Sequence, residues 1–149
     1  MKKRYLFLCF LVGLAIWYGE SRKFFCLGGG RCVTVWKTYN NVCYIIPGRY
    51  YGIVRPSDTY IQAANTTLLT IYFSPELPRA FVFQSWLPLK VINAHHEFEF
   101  YNYYEDTSRF LKMLYLPNAQ KRGDMRPGAG LMDIDVHENY ATNKDDKLL

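Results

Sequence analysis

Apolar and polar positions divide this chain in two. Residues 5–18 read YLFLCFLVGLAIWY without a charge, and Met1-Lys2-Lys3-Arg4 stands directly before them. From Glu20 onward apolar and polar residues mix at short intervals, as they do in a folded domain. The first segment predicts a hydrophobic membrane helix, marked along its length by Tyr5, Val12, Trp17 and Tyr18. As a helix it is about 21 Å long, short against a hydrocarbon core of about 30 Å. Snorkelling by Lys3 and Arg4 at one end, and by Arg22 and Lys23 at the other, extends its reach. Trp17 and Tyr18 fall where an interfacial aromatic belt sits. The alternative is a cleaved signal peptide, because Gly19-Glu20-Ser21 and Gly13-Leu14-Ala15 offer small residues at the spacing a peptidase needs. A buried helix of a cytosolic protein is the third reading. The first two keep the basic start in the cytoplasm and carry the remainder to the periplasmic or extracellular side, as a single-pass or a secreted chain.

The rest of the chain predicts strands. Residues 22–31 contain Gly28-Gly29-Gly30 and read as a connector. Residues 33–39 and 42–46 are β-branched and aromatic, and Asn40-Asn41 between them suits a two-residue turn. That hairpin sets Cys43 opposite Thr38. Residues 49–54 prolong the second strand, and 59–66 are ambiguous between a helical turn and a loop. Strands are expected near 67–73, 80–86, 89–94, 97–101 and 131–136, with Leu69, Ile71 and Phe73 sharing one face. Asp106 caps a short helix to about Tyr115, its apolar face made by Phe110, Met113 and Leu114. The polar residues from about 139 read as a frayed tail. The boundaries are therefore a membrane segment or signal at 1–21, a connector at 22–31, a domain at 32–138 and a tail at 139–149. The fold class is mainly β, with α+β as the alternative: a small antiparallel sandwich or partly open barrel with one short helix.

Composition narrows the class. Of 149 residues 50% are hydrophobic and 17% aromatic, so the bulk of the chain is folded rather than disordered. Three of the five net positive charges belong to Lys2, Lys3 and Arg4, which removes the footprint of a nucleic-acid binder. Cys26 and Cys32 bracket Leu-Gly-Gly-Gly-Arg and are the disulfide candidate, leaving Cys43 as the odd thiol and Cys9 as a small hydrophobe.

Two patterns carry possible chemistry. Alternation aligns His95, Glu97 and Glu99 on one strand face, and Asp133, Asp135 and His137 on another. If those strands were neighbours, the oxygen and imidazole ligands would suit a divalent metal; as separate solvent faces they carry nothing. Tyr50, Tyr51, Tyr101, Tyr103 and Tyr104 cluster amphipathic rings of the kind that line recognition surfaces. No Gly-x-Ser-x-Gly elbow and no cysteine in a catalytic setting is present, and no cofactor is expected. The functional expectation is a membrane-tethered, non-catalytic envelope protein whose domain binds another envelope protein. A glycan- or peptide-binding module using the tyrosine-rich surface comes second, and a metal-dependent enzyme third.

Overall fold

The computed structural model describes residues 2–94, 98–119 and 122–149. Helix α1 (Lys2–Ser21) leads into β1 (Arg22–Leu27), β2 (Arg31–Lys37), β3 (Val42–Pro47), β4 (Thr59–Ala64), β5 (Leu68–Phe73), β6 (Ala80–Ser85), β7 (Lys90–Asn93) and β8 (Glu99–Asn102). Helix α2 (Thr107–Leu114), β9 (Gly130–Asp135) and β10 (Tyr140–Asn143) complete it.

The strands form two five-stranded sheets, ordered β1-β2-β3-β4-β7 and β10-β9-β5-β6-β8. Every pairing is antiparallel except β6 with β8. Period-two alternation explains the packing. Phe25, Val33, Val35, Cys43, Ile45 and Ile61 turn inward from the first sheet. Leu69, Ile71, Phe81, Phe83, Met132 and Ile134 meet them from the second, in one shared core. The result is sandwich-like. Lys37 Nζ donates to His137 O at 2.9 Å and ties the sheets at one end, and Arg31 Nη1 donates to Gly128 O at 2.7 Å at the other.

Each outer face is partly covered. Over the first sheet, residues 48–58 double back: Tyr50 N donates to Thr34 Oγ1 at 2.8 Å, and the Tyr50 ring lies 6.4 Å from that of Trp36. Over the second sheet, α2 packs Phe110 and Leu114 onto Tyr72, Val82 and Leu131. Asp106 caps it, accepting from Arg109 N at 3.1 Å.

Several elements depart from the sequence reading. The connector at 22–31 is mostly strand β1; only the glycine turn is a connector, and Gly29 and Gly30 have φ of 75° and 78°. The hairpin register is one residue off, with Lys37 rather than Thr38 opposite Cys43. Three residues, not two, sit in that turn: Thr38 N donates to Val42 O at 2.9 Å, and Asn41 supplies the left-handed residue at φ 59°. Residues 49–54 do not prolong the strand, and 59–64 are β4 rather than a helical turn or loop. The frayed tail is instead β10, which pairs with β9, while Leu149 packs against the core and donates its N–H to Ala141 O at 2.9 Å. Polar residues at 139–147 disguise this, because a sheet-edge strand hides only alternate side chains.

The N-terminal segment is helical, but among the described residues no helix is long and apolar enough to cross a membrane. Arg4 and Glu20 bound its apolar run too closely.

Candidate functional site

Site geometry follows from strand order. On the outer face of the second sheet, the end bearing Asp135 and Tyr140 is left uncovered by α2. Register sets two rows of side chains there, running across the strands. The lower row is Thr142 on β10, Asp133 on β9, Thr70 on β5 and Gln84 on β6. The upper row is Tyr140, Asp135 and Leu68, continued by Trp86 just beyond β6. Together they line a groove of about 350 Å³. Trp86 is 83% exposed and Tyr140 43% exposed. The two rings stand at opposite ends, with three interstrand steps, or about 14 Å, between their strands.

Hydrogen bonds hold the groove floor in place. Thr70 Oγ1 donates to Asp133 Oδ1 at 2.5 Å, and Arg122 forms an ion pair with the other oxygen of Asp133. Asp135 Oδ1 accepts from Glu138 N at 2.9 Å. Tyr72 donates its hydroxyl to Gln84 Oε1 at 2.6 Å, and Gln84 Nε2 donates to the Tyr104 hydroxyl at 2.7 Å. Burial pushes the Tyr72 phenol well above its ordinary pKa, so it stays a donor and fixes the Gln84 amide. The Tyr104 ring in turn lies 6.0 Å from Trp86. The Tyr104 hydroxyl is the acceptor in this pair and can also donate.

The sequence-predicted tyrosines do not form one surface. Tyr50 and Tyr51 lie over the first sheet, where Tyr51 contacts Phe24 at 5.2 Å and accepts from the Tyr18 hydroxyl through its carbonyl at 2.9 Å. Tyr101, Tyr103 and Tyr104 belong to the second sheet. Tyr103 is buried against Tyr72 and Phe110, and burial raises its pKa. Tyr101 donates to Glu99 Oε2 at 2.6 Å. Of the five, Tyr104 alone borders the groove. Trp86, Tyr140, Thr70 and Gln84 escape sequence reasoning, since nothing local reports that β10, β9, β5 and β6 lie side by side. The exposed Trp86-Leu87-Pro88 step after a strand was the available signal.

Of the first acidic row only Glu99 is described, and it does not neighbour the second row. His95 and Glu97 lie outside the described residues. Glu99 is on β8 and Asp133 and Asp135 on β9, with β5 and β6 between them. That separates them by about 14 Å across the sheet. His137 lies beyond β9, its Nε2 3.4 Å from Glu138 Oε1. Among the described residues no group of three or more potential ligands comes together.

Cys26 and Cys32 face each other across β1 and β2 and are joined by a disulfide. Beside it a second cleft, about 550 Å³, opens at the far end of the sandwich between Phe73, Phe81, Phe98 and Pro47. Arg31 crosses its mouth, with Nε donating to Gly28 O at 3.3 Å and Nη1 to Gly128 O. Two loop carbonyls occupy this guanidinium, which makes it a strut between turns.

No known protein family, curated protein or solved structure matches the chain.

Proposed function

We propose that this chain is a membrane-tethered, non-catalytic binding protein of the cell envelope, with α1 as tether and the sandwich on the outer side. One observation carries the reading. Leu6, Phe7, Leu8, Phe10, Leu11 and Ile16 of α1 are all between 45% and 77% exposed, around the whole helix. A helix apolar on every side is stable only when lipid or protein surrounds it. Its short apolar run is accommodated by local thinning and by snorkelling of the flanking cations. The Cys26–Cys32 disulfide supports an oxidising compartment for the sandwich.

The partner is better read as a small ligand than as another envelope protein. An open strand edge, as β1 and β7 leave at the ends of the first sheet, would favour the protein. A concave groove with aromatic ends and a hydrogen-bonding floor favours the ligand.

Alkaline carbonate extraction tests the tether. The full-length chain is expected in the membrane pellet, and Val12→Asp is expected to move it to the supernatant, since an Asp at a helix centre costs about 3 kcal/mol to insert. A soluble wild-type chain beginning after residue 21 would instead establish a cleaved signal. Protease added outside should digest the sandwich without lysis.

A further inference from the structure

We propose that the groove between Trp86 and Tyr140 binds a linear oligosaccharide, neutral or amino-substituted, lying across the strands; this names the ligand of the binding reading above and rests on it.

Trp86 and Tyr140 end the groove on strands about 14 Å apart, too far for one sugar ring and suited to a short chain of them. A pyranose presents a face of C–H bonds made slightly positive by its oxygens. The negative face of an aromatic ring attracts it. Trp86 is 83% exposed and meets the Tyr104 ring at a tilt of 54°, so most of its indole surface is open for such a contact.

Between the rings lie two hydroxyls, an amide and two carboxylates, which match a ligand bearing hydroxyls along its length. An extended peptide has no matching feature. The groove runs from the edge strand β10 to β6; β9, β5 and β6 are paired on both sides, and the outer side of β10 is bridged by residues 147–149, so the groove offers no backbone edge for strand addition.

Arg122 is taken up by Asp133, which leaves Asp135 as the carboxylate beside the ligand path. A negative group there repels phosphate, sulfate or uronate and attracts an amine. Asp133, engaged by both Arg122 and Thr70, positions the floor and touches no reacting atom.

The test uses the full chain in a detergent without a sugar head group, titrated with cellohexaose, maltohexaose, N-acetylchitohexaose, chitosan hexamer and an oligouronate. Calorimetry and tryptophan fluorescence read the binding. Saturable binding of at least one neutral or amino oligomer is expected, tighter than that of its monosaccharide. Trp86→Ala and Tyr140→Ala should each weaken it about tenfold, with unchanged unfolding midpoints. Asp135→Asn should weaken the amino oligomer most. No saturation by any of the panel overturns the proposal. So does a preference for the oligouronate, equal affinity in the ring variants, or binding of a polypeptide alone at this groove. The tether reading fails separately: a carbonate-soluble chain that still binds sugar loses α1 as anchor but keeps the groove, whereas a membrane-retained chain that binds none loses only the groove.

Discussion

The guanidinium of Arg22 lies 3.9 Å from the centre of the Trp36 ring and 4.2 Å from that of Tyr18. Arg22 is buried, and its Nε, Nη1 and Nη2 have no hydrogen-bond partner there. Burial therefore lowers its pKa, against the opposing pull of Tyr18 and Tyr50. This stack joins the last turn of α1 to the sandwich. A desolvated cation between two rings gains about 2 kcal/mol or more from them, which offsets part of the cost of leaving water.

Replacing that cation tests the joint. Arg22→Ala is expected to lower stability by about 2 kcal/mol in urea unfolding, through lost stacking and a cavity beside Trp36. Trp36 emission should shift to the red as water enters. Arg22→Met, which keeps the volume and removes the buried charge, should recover most of the loss. If Arg22→Met is as damaging as Arg22→Ala, the charge and not the packing holds the joint.

The Cys26–Cys32 bond closes a short loop at the edge of the first sheet. A loop of this size predicts about 2 kcal/mol of stabilisation in the chain-entropy model. A Cys26→Ser/Cys32→Ser variant should lose that amount and remain folded, because neither residue belongs to the shared core. Alkylation mass shifts should show two more thiols after reduction than before it.

Cys43 is the opposite case, a free thiol packed in the core with its pKa pushed by burial up to about 12. At pH 8 it should react with an alkylating agent only as fast as the protein opens. Its effect on stability has a definite sign. Below about pH 9 the thiol is protonated in both states. Between about 9 and 12 the unfolded chain loses the proton first, so stability falls as pH rises, by about 1.4 kcal/mol per unit at most. Tyr72, Tyr103 and Tyr115, each raised by burial, add the same sign from about pH 10 upward. Cys43→Ala should flatten the slope between pH 9 and 10. An unchanged slope would mean the thiol titrates alike in both states.

Local chemistry was legible in the amino-acid order. Leu69, Ile71 and Phe73 were readable as one face because alternation is a property of three successive odd positions. Asp106 was readable as a cap because its carboxylate reaches only the next turn. The 14-residue apolar run, uninterrupted by charge or proline, made residues 5–18 readable as one helix, and they lie within α1. Cys26 and Cys32 were close in sequence, so a single turn decides whether they meet.

Only the tertiary structure decided what lies beside what. β10 sits next to β9, β9 next to β5 and β5 next to β6, although as many as 67 positions separate the paired residues of β9 from those of β5, as for Leu68 and Asp135. No residue encodes that adjacency by itself; it emerges when two sheets find the packing that buries all their inner faces together. The polar stretch around Tyr140 thereby became a strand. The acidic row at Asp133 and Asp135 was parted from Glu99, and Tyr103 was buried under α2. Trp86 and Tyr140, 54 positions apart in the chain, came to stand at the two ends of one groove.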